Sequence, residues 1–543
     1  MSSIIRVLEP RCDIRADTEQ NHIVLAGSQR VTHTISAADS SQLLPSAPTT
    51  SNWSINPPSN QTIMDRKLMV RHYIEVTADQ PFEVGTNDAL RQFPASSIID
   101  VTTLQINGES VSDQTADKLH AMLCYGNSCH DRSKSISASA SMPDAYQDYA
   151  DWNLYGSGKC PLKQYGENSC EDGRGGFPTF DAVSPTVRRY VVTEPIWVSP
   201  LFSGIGHQVE GMVNVNQLNL SLRYKTDTSL SWSHASSGQA ITTLSTKFYR
   251  APELLVTYLT PDSLQPIPDV QVLPYMKPQT YIKNAGTLVP GDTTQLFSDS
   301  IRLSQIPRLV YLFVRHDQAS SGFAVPDSFL AIEGVSINWN NESGLLASAT
   351  KQDLFEISSR NGLNVSYPGF SQYRGSVLCL EMGKDVGLPD SQAPGVQGSF
   401  TLQVNLTVKN TGSSNFNGDF YMVTMNEGTF SVAQNSARAS IGNLSPEMVL
   451  AATAAPHMAD FNYRSVHGGS FFQGLKNVLG SVASGIQKVA PIASMIAPEL
   501  APVISQVSDV ASASGRLLGK GRAVGGSHGG SRLVGGGLKR RGY

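Results

Sequence analysis

Residues 400–408 read Phe400-Thr401-Leu402-Gln403-Val404-Asn405-Leu406-Thr407-Val408. Every second side chain is apolar and those between are small and polar. That is the period of a strand with one face in a core and the other in water. The same rhythm over Val213–Leu222 predicts a second such strand. Denser apolar runs, Leu309–Val314 and Leu254–Leu259, predict strands buried on both faces. Helical spacing is confined to two short stretches in the body, Ala116–Leu123 and Thr350–Ser358. Many short strands separated by Gly, Pro, Asn and Ser predict an all-β sandwich or jelly-roll architecture between about residues 60 and 435.

The pattern also repeats. Leu104–Ser110 precedes one short helical stretch and Val335–Ser343 precedes the other. Each is followed, after a loop, by an alternating strand starting near Leu218 or Leu402. Asn107 to Leu218 is 111 residues and Asn340 to Leu402 is 62, so the first copy carries 49 extra residues. The Ser-, Tyr- and Gly-rich run at about 125–180 is where they fall. The chain therefore reads as two similar β-sandwiches, one with a long surface loop, joined by the proline-rich segment Thr260–Pro268.

Charge separates along the chain. Of the 543 residues only 16% are charged, against about 25% in an average soluble protein. The net charge is −4, which excludes a polyelectrolyte and a globally basic nucleic-acid binder. From Gly515 to Tyr543, however, there are seven basic residues (Arg516, Lys520, Arg522, Arg532, Lys539, Arg540, Arg541) and no acid, leaving −11 on residues 1–514. No 18-residue apolar run predicts a transmembrane helix, and Met1–Asp17 has no apolar signal region.

Catalytic and metal motifs are weak. His120, Cys124, Cys129 and His130 cluster, but adjoining Cys129 and His130 cannot both turn to one metal, so no metal site is expected. Cys160 and Cys170 read as free thiols, with a disulfide as the alternative, and Cys12 and Cys379 as structural or incidental. Gly515–Gly521 lacks the spacing and the Ser/Thr of a phosphate loop. Glu75 and Glu83 read as solvated strand-face charges rather than a general acid and base. The expectation is a non-enzyme without cofactors.

Beyond the β region, Phe471, Phe472, Leu475, Val478, Leu479, Val482, Ile486 and Val489 recur at three- and four-residue steps. They predict an amphipathic helix that packs on its own body, lies on a membrane or lines a shell interior. The Gly-rich basic end predicts either a solvated tail or salt-sensitive, sequence-blind contact with DNA phosphates.

Several separated stretches carry a family resemblance: Asn52–Pro58, Ile63–Lys67, Ala89–Pro94, Leu104–Gly108, Pro195–Pro200, Leu259–Asp262, Ile306–Val314, Ile337–Leu346 and Asp353–Ile357. In this order they resemble the double jelly-roll major capsid proteins of polinton-like viruses, adintoviruses and virophages, over about 70% of the chain. The resemblance implies two consecutive eight-stranded jelly rolls, followed by the amphipathic helical segment and a disordered basic tail. The implied division is an arm at 1–58, a first roll at 59–258 with a tower loop at about 125–180, a linker at 259–275, a second roll at 276–440, a linker and helical segment at 441–514 and the tail at 515–543.

It further implies homotrimeric, pseudo-hexagonal capsomers in the icosahedral virion of a double-stranded DNA virus, assembled inside the host cell beside penton and minor capsid proteins. Large, partly apolar shared interfaces agree with the low charge. Val466–Leu479 resembles the start of the adenovirus membrane-lytic minor capsid protein, in which Gly-Gly cleavage by a viral cysteine protease precedes an aromatic amphipathic helix. That protease prefers Met, Leu or Ile, any residue, then Gly-Gly. Cleavage between Gly469 and Ser470 meets Val466 in the first slot, a departure, whereas cleavage between Gly536 and Gly537 fits fully. The competing reading is a secreted lectin-like adhesin, which predicts monomers or dimers with sugar affinity.

Overall fold

The computed structural model describes residues 6–8, 23–25, 29–37 and 50–453, apart from 126–179 and short stretches including 83–87, 202–210, 235–240 and 261–266. Residues 1–449 cluster into one compact unit. The segments carrying Gly469, Ser470, Phe471–Val489, Gly536, Gly537 and the basic tail lie outside the described residues, as do Cys12, Cys129, His130, Cys160 and Cys170.

The first sandwich is framed by eight strands: β1 (Gln29–Ser36), β2 (Thr50–Ile55), β3 (Met69–Ala78), β4 (Ile99–Ile106), β5 (Glu109–Asp113), β6 (Val187–Pro195), β7 (Leu218–Tyr224) and β8 (Leu244–Thr260). Three short strands, Ile63–Asp65, Phe180–Ser184 and Gly211–Met212, are added to the sheet that holds β8. One sheet runs β1-β8-β3-β6 and the facing sheet β2-β7-β4-β5, all neighbours antiparallel. Successive strands thus alternate between the two sheets except at the β4–β5 hairpin, which stays within one sheet, and this is jelly-roll winding. The segment expected as an arm, 1–58, therefore supplies two strands of the first roll, one to each sheet.

The second sandwich repeats this winding with β9 (Val270–Leu288), β10 (Thr293–Phe297), β11 (Ile301–Gln305), β12 (Leu309–His316), β13 (Ala331–Trp339), β14 (Glu342–Leu345), β15 (Leu378–Glu381), β16 (Gln397–Lys409) and β17 (Phe416–Ala433). Its sheets are β9-β17-β12-β15 and β10-β16-β13-β14, with β11 continuing the place of β10 along β16. A further strand, β18 (Ser436–Ile441), turns back along β17. Strand β9 begins at Val270, inside the expected 259–275 linker.

The alternation over 400–408 resolves as read: Phe400, Leu402, Val404, Leu406 and Val408 are buried along β16. Leu309–Val314 is buried on both faces, but in Leu254–Leu259 Leu255 and Thr257 are only half-buried. The Val213–Leu222 rhythm is strand only from Leu218 on. Asn214 breaks it, with φ 63° and a buried side chain that donates to the Pro268 and Asp269 carbonyls at 2.8 and 3.1 Å.

The repeat is a repeat of detail. Asn107 turns β4 into β5 at φ 45°, and Asn340 turns β13 into β14 at φ 51°. The Asn107 amide donates to Gln217 O at 3.0 Å and its Oδ1 accepts from Gln217 N at 3.2 Å. The Asn340 amide donates to Thr401 O and its Oδ1 accepts from Thr401 N, both at 2.9 Å. Asn tolerates the left-handed backbone, and its side chain fastens the turn to the neighbouring strand. Each turn leads through the next strand to a helix. Before both comes the buried helix α1 (Pro94–Ile98); α2 (Ala116–Met122) follows β5, and α3 (Lys351–Arg360) follows β14 with Thr350 and Asp353 forming a capping box. The last described element, α4 (Pro446–Thr453), follows β18. The long insertion falls between Tyr125 and Phe180, and 126–179 are not among the described residues.

Candidate assembly surface

Besides hydrogen bonds from Arg91 to Gly322 O at 2.6 Å and from His234 N to Phe323 O at 2.9 Å, two junctions lock the rolls of one chain together. The first is apolar. Strands β9 and β17 run past their own sandwich, and Leu273, Tyr275, Phe430 and Val432 at those ends belong to the first roll's core. Each such side chain removed from water contributes about 1.5–3 kcal/mol. Polar side chains close the seam: Gln271 Nε2 donates to Gly211 O at 2.8 Å, Asn107 Nδ2 to Ala433 O at 2.9 Å, and Ala439 N to Glu109 Oε1 at 3.2 Å.

The second junction is made by α2. Leu119 packs into its own roll with Phe93 and Trp197. Ala121, Cys124 and Tyr125 instead cover the outer face of the second roll, against Leu309, Tyr311 and Phe313 of β12, Cys379 of β15 and Tyr421 and Val423 of β17. Tyr125 donates to Val377 O at 2.5 Å and meets Tyr311 edge-on at 5.4 Å. Arg315 donates to Asp117 O at 2.6 Å. Burial opposes charge on Asp117, but Lys225, at 3.0 Å, Arg315 and Lys118 hold its carboxyl below the usual range.

The same outer face on the first roll, formed by β3, β6 and β8, has a different chemistry. Glu75 and Glu253 lie buried in it under cationic side chains. Glu75 binds Arg189 Nε and Lys247 Nζ, each at 2.7 Å, and Glu253 binds Arg250 at 2.8 Å, Arg71 at 3.4 Å and the Tyr73 hydroxyl at 2.8 Å. Arg250 stacks over Tyr73 at 4.7 Å and Arg189 over Tyr249 at 5.0 Å. The exposed parts of this face are therefore the heads of Arg71, Arg189, Lys247 and Arg250, with Val191 beside them at 42% exposure. Tyr and Arg with few free acids are the composition of interface cores.

Glu75 was expected in solvent and is instead a buried, doubly paired anchor. The sequence shows the alternation that puts Arg71, Tyr73 and Glu75 on one face, but not the strand pairing that brings Arg189, Lys247 and Arg250 to them. Tyr125 likewise has no signal in its own segment. His120 and Cys124 are buried, and Cys124 donates to His120 O at 3.3 Å. Among the described residues there is no group of three metal-ligating side chains, and no helix long and apolar enough to cross a membrane. Burial raises the Cys379 thiol to about 12.

A family model described as the Sputnik virophage major capsid protein first domain matches residues 6–259, and one described as the major capsid protein V20 C-terminal domain matches residues 275–428. The first match includes β1 and β2. A curated relative, "Putative capsid protein V20" of Sputnik virophage, is 30% identical over 595 residues, covering 99% of this chain and 96% of its own. A chain of the Sputnik virophage particle solved by cryo-electron microscopy superposes with a TM-score of 0.71 at 28% identity, covering 87% of this chain and 97% of that one. The crystal structure of the mavirus major capsid protein shares the fold, with a TM-score of 0.62 at 16% identity over 77% of this chain and 92% of that one.

Proposed function

This chain belongs to the virophage-type double jelly-roll major capsid proteins, and from that membership we propose that it assembles as homotrimers, each a pseudo-hexagonal capsomer of the icosahedral shell. It is a structural component of the virion, not an enzyme. The adhesin reading gives way to this one.

The observation that carries the trimer is the internal repeat. Two rolls of the same winding are fused into one body, so three chains present six nearly equivalent units around an axis. Neighbouring capsomers and the penton and minor capsid proteins would then meet its outer edges. Negative-stain imaging of the purified full-length chain is expected to show trimers with a hexagonal outline; monomers at micromolar concentration overturn the reading.

The C-terminal segment carries a further part of the proposal. The pattern Phe471–Val489 supports an amphipathic helix that engages a membrane or the shell interior after cleavage at Gly469–Ser470 or Gly536–Gly537 by a viral cysteine protease. The seven cations from Arg516 to Arg541 support contact with packaged DNA.

A further inference from the structure

The junction inside one chain is a template for a junction between chains. Counting from Thr115 and Thr350, which each accept the first helical hydrogen bond of their helix, Leu119 corresponds to Leu354 and Ala121 to Glu356. The correspondence holds in burial: Leu119 and Leu354 both pack into their own rolls. It fails at the next place. Ala121 is buried against the other roll of its chain, whereas Glu356 is exposed together with Gln352 and Asp353. So α3 has the seat that α2 has, with its outward side uncovered. The receiving face is duplicated too. On the second roll it is apolar and covered by α2, while on the first roll it is the cationic Tyr/Arg surface of β3, β6 and β8.

We propose that α3 of one copy docks on the outer face of β3, β6 and β8 of a second copy, with Glu356 and Asp353 facing Lys247, Arg189 and Arg250. The proposal rests on the trimer reading and adds which faces meet and by what chemistry. The intrachain contact is mainly apolar. The interchain contact sets the exposed carboxylates of α3, a helix whose own Lys351 pairs with Glu333 and whose Arg360 lies 3.6 Å from Asp385, against a basic sheet, which speeds encounter and fixes which face binds which. The buried Glu75 and Glu253 hold the cationic heads in place without neutralising all four. Three repetitions of this contact close a ring of six rolls, with every helix seated on the next roll.

The test uses the full-length chain. Glu356→Lys sets like charges together and is expected to weaken trimers by about ten-fold or more in sedimentation equilibrium. Arg250→Glu, at the most exposed cation, is expected to do the same, and the two combined to recover assembly. Independently, trimers grown from mixed heavy- and light-isotope chains are treated with a carbodiimide, which joins only touching amines and carboxylates. A Lys247 peptide joined to a Glu356 or Asp353 peptide, one heavy and one light, is the expected product. Trimers that form normally with Glu356→Lys and give no such mixed cross-link overturn the docking while leaving the trimer standing. A wild-type chain that stays monomeric overturns both. Where a variant fails to fold or the pair fails to rescue, the wild-type cross-link decides.

Discussion

Glu194 and His72 lie on neighbouring strands, β6 and β3, and burial makes stability respond to pH in opposite directions at the two. Burial raises the Glu194 carboxyl to about 7 although Ser96 Oγ and the Ala95 and Ser96 amides bond it. Burial lowers His72 to about 3. A raised carboxyl favours the folded state as pH falls, with its contribution complete below about 4.5 and lost as pH rises through 7. A depressed imidazole does the reverse: its contribution is present above 6.5 and is lost as pH falls toward 3. Between pH 4.5 and 6.5 the two slopes, about 1.4 kcal/mol per pH unit each, oppose one another. Urea unfolding of the unassembled chain is expected to give nearly level stability across that window. Glu194→Gln is expected to expose the histidine slope, losing stability on acidification, and a pH profile unchanged by the substitution contradicts the assignment. The carboxyls of Glu75 and Asp117, held low by cations, lose their contribution only as pH falls through the ordinary carboxylate range, below the window. None of this was legible in the sequence, where Glu194 and His72 are 122 residues apart and burial has no local signature.

At the scale of elements, α2 is the joint whose loss is felt furthest. Tyr125 follows it and is buried in the second roll's outer face, with its hydroxyl on Val377 O. Tyr125→Ala removes the ring and leaves a cavity between the rolls, which costs about 3–5 kcal/mol. The expected result is a lower urea midpoint for one cooperative transition, because Leu273, Tyr275, Phe430 and Val432 tie the first core to strands of the second. A midpoint within error of wild type counts against the joint. Element identity was legible wherever one face of a regular element is buried, as in β16 and α3. It was not legible in β9, whose exposed Val270, Val272 and Ile282 and two prolines obscure the period. Those prolines, Pro274 and Pro278, and Lys277 and Lys283 mark it as a sheet edge, where missing donors and charge discourage indiscriminate pairing.

For the whole molecule, the division of charge along the chain takes on a spatial meaning. The body has a low charge because strand faces and helices are spent on contacts with other rolls, first within the chain and then, in the assembly proposed above, between chains. The +7 end lies outside the described residues, and its contact with packaged DNA belongs to the proposal above. Peptide mapping of mature particles is the measurement that belongs to this scale. If the C-terminal segment is released, peptides spanning Gly469–Ser470 or Gly536–Gly537 are depleted relative to β16 peptides, and both junctions recovered intact rule release out.

The sequence by itself determined the β class and the repeat. Alternation over Phe400–Val408, the turn residues and the echoed Asn107 and Asn340 are local properties, and a strand or turn follows from the side chains it contains. The extra length in one copy, and its place after the first short helix, followed from the same comparison. Only the tertiary structure decided which faces are spent and which remain. Whether Glu75 is a solvated charge or a buried anchor depends on Arg189 and Lys247, more than a hundred residues away in the chain. Whether a short helix caps its own roll or bridges two depends on what stands opposite it. Such contacts are settled by packing among distant segments, and packing leaves no period in the sequence.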